Sequence, residues 1–249
     1  MVQNFVIPHS RPTLDESDLL SVSKVIRSGR IVQGEVVEKF EKKVAKYIGV
    51  DGAVAMNTGT SALHLSLLAI GIKEGDYVAM PSFVCTALLN AVRYVGAHPT
   101  LVDIDPETYN IDIRDLKKRV KKSTKAIILP HLFGLPADID EIVSLGIPVI
   151  EDCAQAIGAV YKGRKVGSFG KLSCFSFYAT KVLSTGEGGM VVSDSKSLLK
   201  KIRDFRDYDN KKNYTVRYNY KMTDIQAAMG IAQLKKLHSL LLKRANIAK

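Results

Sequence analysis

Short apolar runs that alternate with amphipathic segments are the feature that most constrains this chain. Buried strands separated by helices are typical of a mostly parallel sheet whose two faces are both covered. The predicted fold is therefore α/β, with a mostly parallel central sheet and helices on both faces. The apolar runs lie at 53–56, 77–80, 100–103, 126–130, 148–151, 173–177 and 190–193.

Helical patterns fill the spaces between these runs. Thr13-Leu14-Asp15-Glu16 has the form of a capping box and predicts a helix that continues to about Ser28. Apolar stripes predict a second helix at 36–48. Further helices are predicted from about Thr60, at 87–94, 113–120 and 138–145, and from about Asp194 onward.

Composition limits the classes of protein that fit. The chain has 249 residues, of which 46% are hydrophobic, enough for a sizeable core, and no run of about 18 apolar residues predicts a membrane span. Its start lacks the pattern of a secretory signal, and three scattered cysteines predict a reducing, cytoplasmic setting. The net charge of +11 fits solvated helix faces or attraction of an anionic ligand. Nucleic-acid binding is disfavoured because the basic runs lack interleaved aromatic residues.

Ligands of such sheets bind beyond the carboxyl ends of the strands. One candidate there is the NTGTS segment, where Gly59 permits a tight turn and the backbone N–H groups of Thr60 and Ser61 are predicted to be unpaired at a helix start. That arrangement favours a phosphate, although an ordinary N-cap by Thr58 or Thr60 remains an alternative reading.

Two more strand ends carry reactive side chains. Asp152 follows one strand and is either a helix cap or a counter-ion for a protonated ring nitrogen, with Gln155 one turn further on. Lys181 lies among small, apolar and hydroxyl residues, downstream of Ser176. Loss of hydration would ease formation of its neutral amine, which can form a Schiff base with an aldehyde. A lysine, a carboxylate and a phosphate seat together are what pyridoxal 5′-phosphate needs.

The chain resembles the DegT/DnrJ-type (StrS-type) pyridoxal-phosphate sugar aminotransferases, which have the aspartate aminotransferase fold type (fold type I). The matching segments run through most of the chain and include IPHSRPTLDE, SGRIVQG, NTGTSALHL, LPHLFG, EDCAQAIGA, FSFYATKVLSTGEGG and NYKMTDIQAAMGIAQL. A dinucleotide-binding oxidoreductase is disfavoured because no strand is followed by a complete G-x-G-x-x-G.

The resemblance implies a role for each candidate residue. Lys181 and Asp152 are the implied catalytic residues, with Lys181 attached to the cofactor and Asp152 on its ring nitrogen. Gln155 approaches the ring hydroxyl. The remaining implied cofactor-binding residues are Gly59, Thr60, Ser61, Cys85, Ser176 and Asn219, and no metal is implied. Asn219 is expected to reach the phosphate in a neighbouring subunit, which implies a homodimer with shared sites.

The implied activity is amino transfer from an amino acid, with glutamate as the expected donor, to a keto-sugar on a nucleoside diphosphate, in amino-sugar and polysaccharide biosynthesis. Lys181 favours this over a related sugar dehydratase, because those enzymes carry histidine there. A dehydratase-like reaction and a non-catalytic cofactor-binding protein are the alternatives.

The chain departs from the family pattern in two places. Cys85 occupies a position where the family usually has an aromatic ring against the cofactor, with Phe83 nearby. The family also usually continues into a small C-terminal domain. Residues 1–235 are therefore predicted to form the cofactor-binding large domain with an N-terminal helical arm, and residues 236–249 to begin a linker helix. A fragment, a split protein and a form with weak turnover are the open explanations.

Overall fold

A computed structural model describes Pro8 and residues 10–249. Within these residues, the chain forms eight α-helices and nine strands. The helices are α1 (Glu16–Ser28), α2 (Glu35–Ile48), α3 (Gly59–Ala69), α4 (Thr86–Tyr94), α5 (Ile113–Arg119), α6 (Ile139–Val143), α7 (Lys196–Arg206) and α8 (Asp224–Ile247). The strands are β1 (Gly52–Met56), β2 (Tyr77–Pro81), β3 (His98–Val102), β4 (Thr124–Pro130), β5 (Val149–Asp152), β6 (Val160–Tyr161), β7 (Arg164–Lys165), β8 (Leu172–Ser176) and β9 (Gly189–Ser193).

Seven of the described strands form one sheet in the order β1-β9-β8-β5-β4-β2-β3. The pairs from β3 through β8 are parallel, while β9 is antiparallel to both of its neighbours. The predicted α/β fold with a mostly parallel sheet is thus confirmed. The short hairpin of β6 and β7 lies outside this sheet and had no counterpart in the predicted strands.

The sheet separates two apolar clusters, because successive side chains of a strand point to opposite faces. In β4, Ile127 and Leu129 pack with the cluster formed by α2, α5, α6 and α8. Ala126 and Ile128 pack with the cluster formed by α3, α4 and α7 on the other face. Both faces of the central strands are therefore buried, which explains their continuous apolar sequences.

The main differences from the predicted helices concern α1 and the region after β9. The capping box of α1 consists of Asp15 and Asp18, so the predicted box from Thr13 to Glu16 is wrong by two residues. The helix predicted from Asp194 onward is interrupted, since residues 207–223 are not helical. Helix α8 then continues through residue 235 without a break, so the predicted domain boundary has no matching feature in the backbone and stays a prediction.

A buried carboxylate joins the start of α2 to the start of α8. Asp224 accepts hydrogen bonds from the N–H groups of Gly34 at 2.9 Å, Val36 at 3.3 Å and Val37 at 3.0 Å. These N–H groups at a helix start have no partner within their own helix. Asp224 therefore caps α2 from 190 residues away.

None of the helices in the described part of the chain has the length and apolar character needed to cross a bilayer.

Candidate active site

Seven of the predicted site residues line one cavity of about 360 Å³ at the carboxyl ends of β1, β4, β5 and β8. They are Gly59, Thr60, Cys85, Asp152, Gln155, Ser176 and Lys181. Ser61 lines an adjoining cavity that shares Thr58, Thr60 and Cys85 with the first. Residues far apart in sequence thus meet where ligands of parallel sheets bind.

Lys181 stands in the turn that follows β8. Its backbone N–H donates to the carbonyl of Tyr178 at 2.9 Å, and its side chain is half-buried at the cavity wall. The glycines after it allow the chain to return as β9 close to the start of α3. A Cβ atom on Gly189 would overlap the Thr58 carbonyl, so only glycine permits this approach. The turn therefore holds the backbone of Lys181 beside the cavity.

Asp152 ends β5 and faces the same cavity as Lys181. The residue is 8% exposed, and its Oδ1 accepts one hydrogen bond, from the Ala154 N–H at 3.0 Å. Burial raises the pKa of this carboxyl above its usual value, and the positive charge of Lys181 acts against that rise. A protonated ring nitrogen placed here would favour the ionised form further.

Glu151, the preceding residue, faces the opposite side of the sheet and is fully buried. Burial acts to raise its pKa, but hydrogen bonds from His131 and from backbone N–H groups outweigh it, and the pKa lies below its usual value. Five donors reach the carboxylate at 2.6–3.1 Å: His131 Nε2, Ser173 Oγ, and the N–H groups of Gly167, Phe169 and Gly170.

His131 is a cavity-lining residue to which the sequence analysis gave no role, although it belongs to the LPHLFG segment. Its Nδ1 accepts the Ala137 N–H at 3.2 Å, so the proton of the neutral ring lies on Nε2, which faces Glu151 at 3.1 Å. His131, Glu151 and Cys153 place three potential metal ligands within 4.8 Å of one another. Since donors already surround the carboxylate, hydrogen bonding explains this cluster without an ion.

The phosphate seat was predicted at the start of α3. Thr58 is the N-cap, and its Oγ1 accepts the Ser61 N–H at 3.0 Å, so the prediction that this N–H is unpaired is wrong. The Ser61 hydroxyl donates to Asn57 Oδ1 at 2.7 Å. Among the described residues, the Thr60 N–H has no such partner and remains a free donor at the helix start.

Gly59 and Ser176 come close together at this seat. A Cβ atom on Gly59 would lie 2.9 Å from Ser176 Cβ and 3.2 Å from its Oγ. The glycine therefore leaves a concave space between the start of α3 and the end of β8. A phosphate in that space would meet both the Thr60 N–H and the Ser176 hydroxyl, so the residues present fit the phosphate group of the predicted cofactor.

Gln155 and Cys85 line other parts of the cavity wall. Gln155 Oε1 accepts the Phe133 N–H at 3.1 Å, which leaves its amide nitrogen as a donor for a ring oxygen. Cys85 is exposed at the N-terminal end of α4. Phe83 is not among the described residues that line the cavity, and its ring contacts Tyr109 at a centroid distance of 5.8 Å.

Asn219 is exposed and lines neither of these two cavities of its own chain. Its expected contact with a neighbouring subunit is not tested by a single chain and stays a prediction.

A second, larger cavity of about 780 Å³ opens on the other side of Lys181 and shares Gln155 with the first. Three further cations line it, namely Arg11, Lys243 and Arg244. Since no carboxylate of the described residues lines this cavity, its potential is positive and favours an anionic ligand.

Comparisons with known proteins identify the family. The model of the DegT/DnrJ/EryC1/StrS aminotransferase family matches residues 12–249, so the chain belongs to this family. GDP-perosamine synthase of Escherichia coli O157:H7 is 40% identical over 252 residues, which cover 97% of this chain and 69% of the relative.

Solved structures agree. The aminotransferase from Psychrobacter cryohalolentis matches with a TM-score of 0.86 and 34% identity, over 91% of this chain and 63% of that one. The PLP-form structure of Spr1654 from Streptococcus pneumoniae matches with a TM-score of 0.93 and 29% identity, over 98% and 70%. The chain thus spans roughly two thirds of each relative's length, and the family that it belongs to uses pyridoxal phosphate.

Proposed function

We propose that this chain transfers an amino group from an amino acid, with glutamate as the expected donor, to a keto-sugar carried on a nucleoside diphosphate. The observation that carries the proposal is the single cavity that Lys181 and Asp152 share with the phosphate seat. When bound there, pyridoxal phosphate would supply an aldehyde and an electron-accepting ring.

Each residue has a chemical task in this proposal. The Lys181 amine removes a proton from the substrate carbon and returns one to the carbon that must receive it. Asp152 keeps the ring nitrogen protonated, because a buried carboxylate is stabilised in its charged form by a positive charge next to it. Gln155 orients the ring through its amide nitrogen, while Thr60 and Ser176 hold the phosphate.

The substrate class is inferred from charge. The larger cavity beside Lys181 is lined by Arg11, Lys243 and Arg244, which suits the diphosphate of a nucleotide sugar. The name of the Escherichia coli relative, GDP-perosamine synthase, indicates a GDP-linked sugar for that protein, and we propose the same class of carrier here. A dehydratase-like or non-catalytic protein is less favoured, because Lys181 and the similarity to GDP-perosamine synthase both support amino transfer.

We further propose a homodimer in which Asn219 of one chain approaches the phosphate in the other. Its support is the exposed position of Asn219 outside both cavities of its own chain. A cytoplasmic location is proposed from the three free cysteines, which suit a reducing compartment.

Absorbance spectroscopy tests the function. Protein mixed with pyridoxal phosphate should show a visible band that Lys181→Ala abolishes, and glutamate should convert that band to the pyridoxamine form. A panel of GDP- and UDP-linked keto-sugars should then restore the original band. A lysine-linked band that no amino donor changes would overturn the proposed transfer, and absence of any lysine-linked cofactor would overturn the enzyme class.

A further inference from the structure

A buried histidine behind the phosphate seat has no role in the proposed reaction. His64 lies on α3, is 3% exposed, and has its Nδ1 3.2 Å from the hydroxyl oxygen of Tyr220. Its Nε2 is buried without a hydrogen-bond partner among the described residues. Burial lowers the pKa of His64 to about 4, so the ring is neutral at pH 7. Buried polar groups with an unused atom are uncommon and call for an explanation.

Two tyrosines connect this histidine to the 218–220 segment. The rings of Tyr218 and Tyr220 stack with centroids 5.0 Å apart, and they lie 4.8 and 5.9 Å from the His64 ring. The N–H of Tyr218 donates to the Phe205 carbonyl at 2.8 Å, and that of Tyr220 to the Arg206 carbonyl at 3.0 Å. The short segment is therefore held by its backbone and by both rings.

The same segment is tied to the phosphate seat. The Tyr220 carbonyl accepts the N–H of Asn57 at 2.9 Å, and Asn57 Oδ1 accepts the Ser61 hydroxyl at 2.7 Å. Between the two half-buried tyrosines, Asn219 is exposed. The two anchored tyrosines thus hold the exposed side chain of Asn219 between them at the surface.

We propose that His64 is a positioning residue, which fixes Asn219 through Tyr220 so that a change at His64 in one subunit alters cofactor binding at the partner's site. This rests on the shared-site homodimer proposed above. His64 lies one turn after Thr60 on the same helix. In this proposal the start of α3 binds the phosphate of its own chain, and His64 on α3 positions Asn219, which binds the phosphate in the partner subunit.

Single variants isolate the hydrogen bond. His64→Phe keeps a ring but removes the bond, and Tyr220→Phe removes only the hydroxyl. Each should weaken pyridoxal phosphate binding about two- to twelvefold, which corresponds to one neutral hydrogen bond. The double variant should be no weaker than either single variant, because both remove the same interaction. Tyr94→Phe is the matched control, since Tyr94 contacts the His64 ring without a hydrogen bond to it; it should leave affinity unchanged.

A readout without cofactor complements these titrations. Hydrogen exchange at the Tyr218 and Tyr220 amides should be faster in the His64→Phe apoprotein and unchanged in Tyr94→Phe. Unchanged exchange in His64→Phe would contradict the positioning role.

Mixed dimers of differently tagged chains decide which site His64 serves. In the first arrangement, one chain carries His64→Phe and the other carries Lys181→Ala. The remaining lysine then faces an intact Asn219 from the other chain, and cofactor affinity should be that of the wild type. In the second arrangement, both changes are on one chain and the other is wild type, and affinity should fall two- to twelvefold. Borohydride fixation followed by mass spectrometry identifies the chain that holds the cofactor.

The opposite pattern would overturn the proposal, because it would show that His64 supports only the seat of its own chain. Tyr220→Phe in the same two arrangements gives the answer if His64→Phe does not fold. Asn219→Ala in these arrangements tests the sharing itself, and an effect on its own chain alone would overturn both the sharing and the role of His64. Conversion of the wild-type band by glutamate tests amino transfer independently of these outcomes.

Discussion

Two neighbouring carboxylates on β5 show how the same strand serves the fold on one face and a ligand on the other. Glu151 points into the core, where five donors satisfy it and its pKa is lowered. Asp152 points into the cavity, where one N–H reaches it and burial raises its pKa. A buried carboxylate whose hydrogen-bond acceptors are all used by its own chain stabilises the fold. A buried carboxylate with a single donor still has acceptor capacity for a ligand.

The largest effect should come from the cavity side. Asp152→Asn should lower the rate of amino transfer about 10³–10⁴-fold, because the amide cannot hold a proton on the ring nitrogen. Single-turnover reaction with glutamate measures this.

The apoprotein of the same variant, Asp152→Asn, should become more stable at neutral pH. When folding raises the pKa of a carboxyl, the protein becomes less stable as the pH rises past the carboxyl's pKa in the unfolded chain. The asparagine side chain does not ionise, so the variant does not have this loss of stability. A variant that is less stable and still active would remove the contrast between the two residues.

Changes on the core side should act on stability instead. Glu151→Ala should lower the free energy of unfolding by about 3–5 kcal/mol, because it leaves buried donors without an acceptor. Urea denaturation followed by circular dichroism measures the change. Glu151→Gln is the matched control and should cost less, since the amide oxygen still accepts some of these bonds. A loss below about 1 kcal/mol in Glu151→Ala would mean that the donors find water instead.

His64 is intermediate, because one of its ring nitrogens has a partner and the other has none. Its pKa is about 4 in the fold, against about 6.5 in an unfolded chain. Between these values the unfolded state takes up a proton that the folded state does not. Stability should therefore fall as the pH drops from about 6.5 to about 4, by about 3 kcal/mol in total. His64→Phe should lack this part of the acid dependence, and parallel pH curves for the two proteins would contradict it.

A pair of glycines gives the smallest and most direct comparison. A Cβ on Gly59 would press on Ser176 at the cavity, and one on Gly34 would lie 2.9 Å from Asp224 Oδ2 in the core. Gly59→Ala should weaken cofactor binding about tenfold, because Ser176 must shift at the cavity, whereas Gly34→Ala should cost about 1–2 kcal/mol of stability with little change in binding. Fluorescence titration measures cofactor binding, and denaturation measures stability. Weaker binding in Gly34→Ala but not in Gly59→Ala would contradict the comparison.

The sequence predicted the strands well because buried runs leave a clear apolar signal. Those of β1, β2 and β5 lie within one or two residues of their predicted bounds. The interruption at 207–223 was missed because its basic and aromatic residues resemble a solvated helix face. The cavity was anticipated through Lys181 and Asp152, which follow strands that meet at one edge of the sheet.

Side-chain partners distant in sequence were beyond such reasoning. The sequence around Glu151 does not show that backbone N–H groups of the loop at 167–170 donate hydrogen bonds to its carboxylate. The Ser61 N–H was predicted to be free, because a helix start alone does not show which way Thr58 points its hydroxyl. Pattern reasoning locates strand ends, but hydrogen-bond pairing across the fold depends on tertiary geometry.

The cap that Asp224 places on α2 also bears on the order in which the chain matures. During synthesis, residues 35–48 emerge long before residue 224 does, so the amides at the start of that helix stay solvated until nearly the whole segment up to α8 has left the ribosome. Domains generally fold as units as the nascent chain grows. A nascent polypeptide halted before this aspartate should therefore form α2 less stably, because the amides at the start of that helix then have only water as a partner.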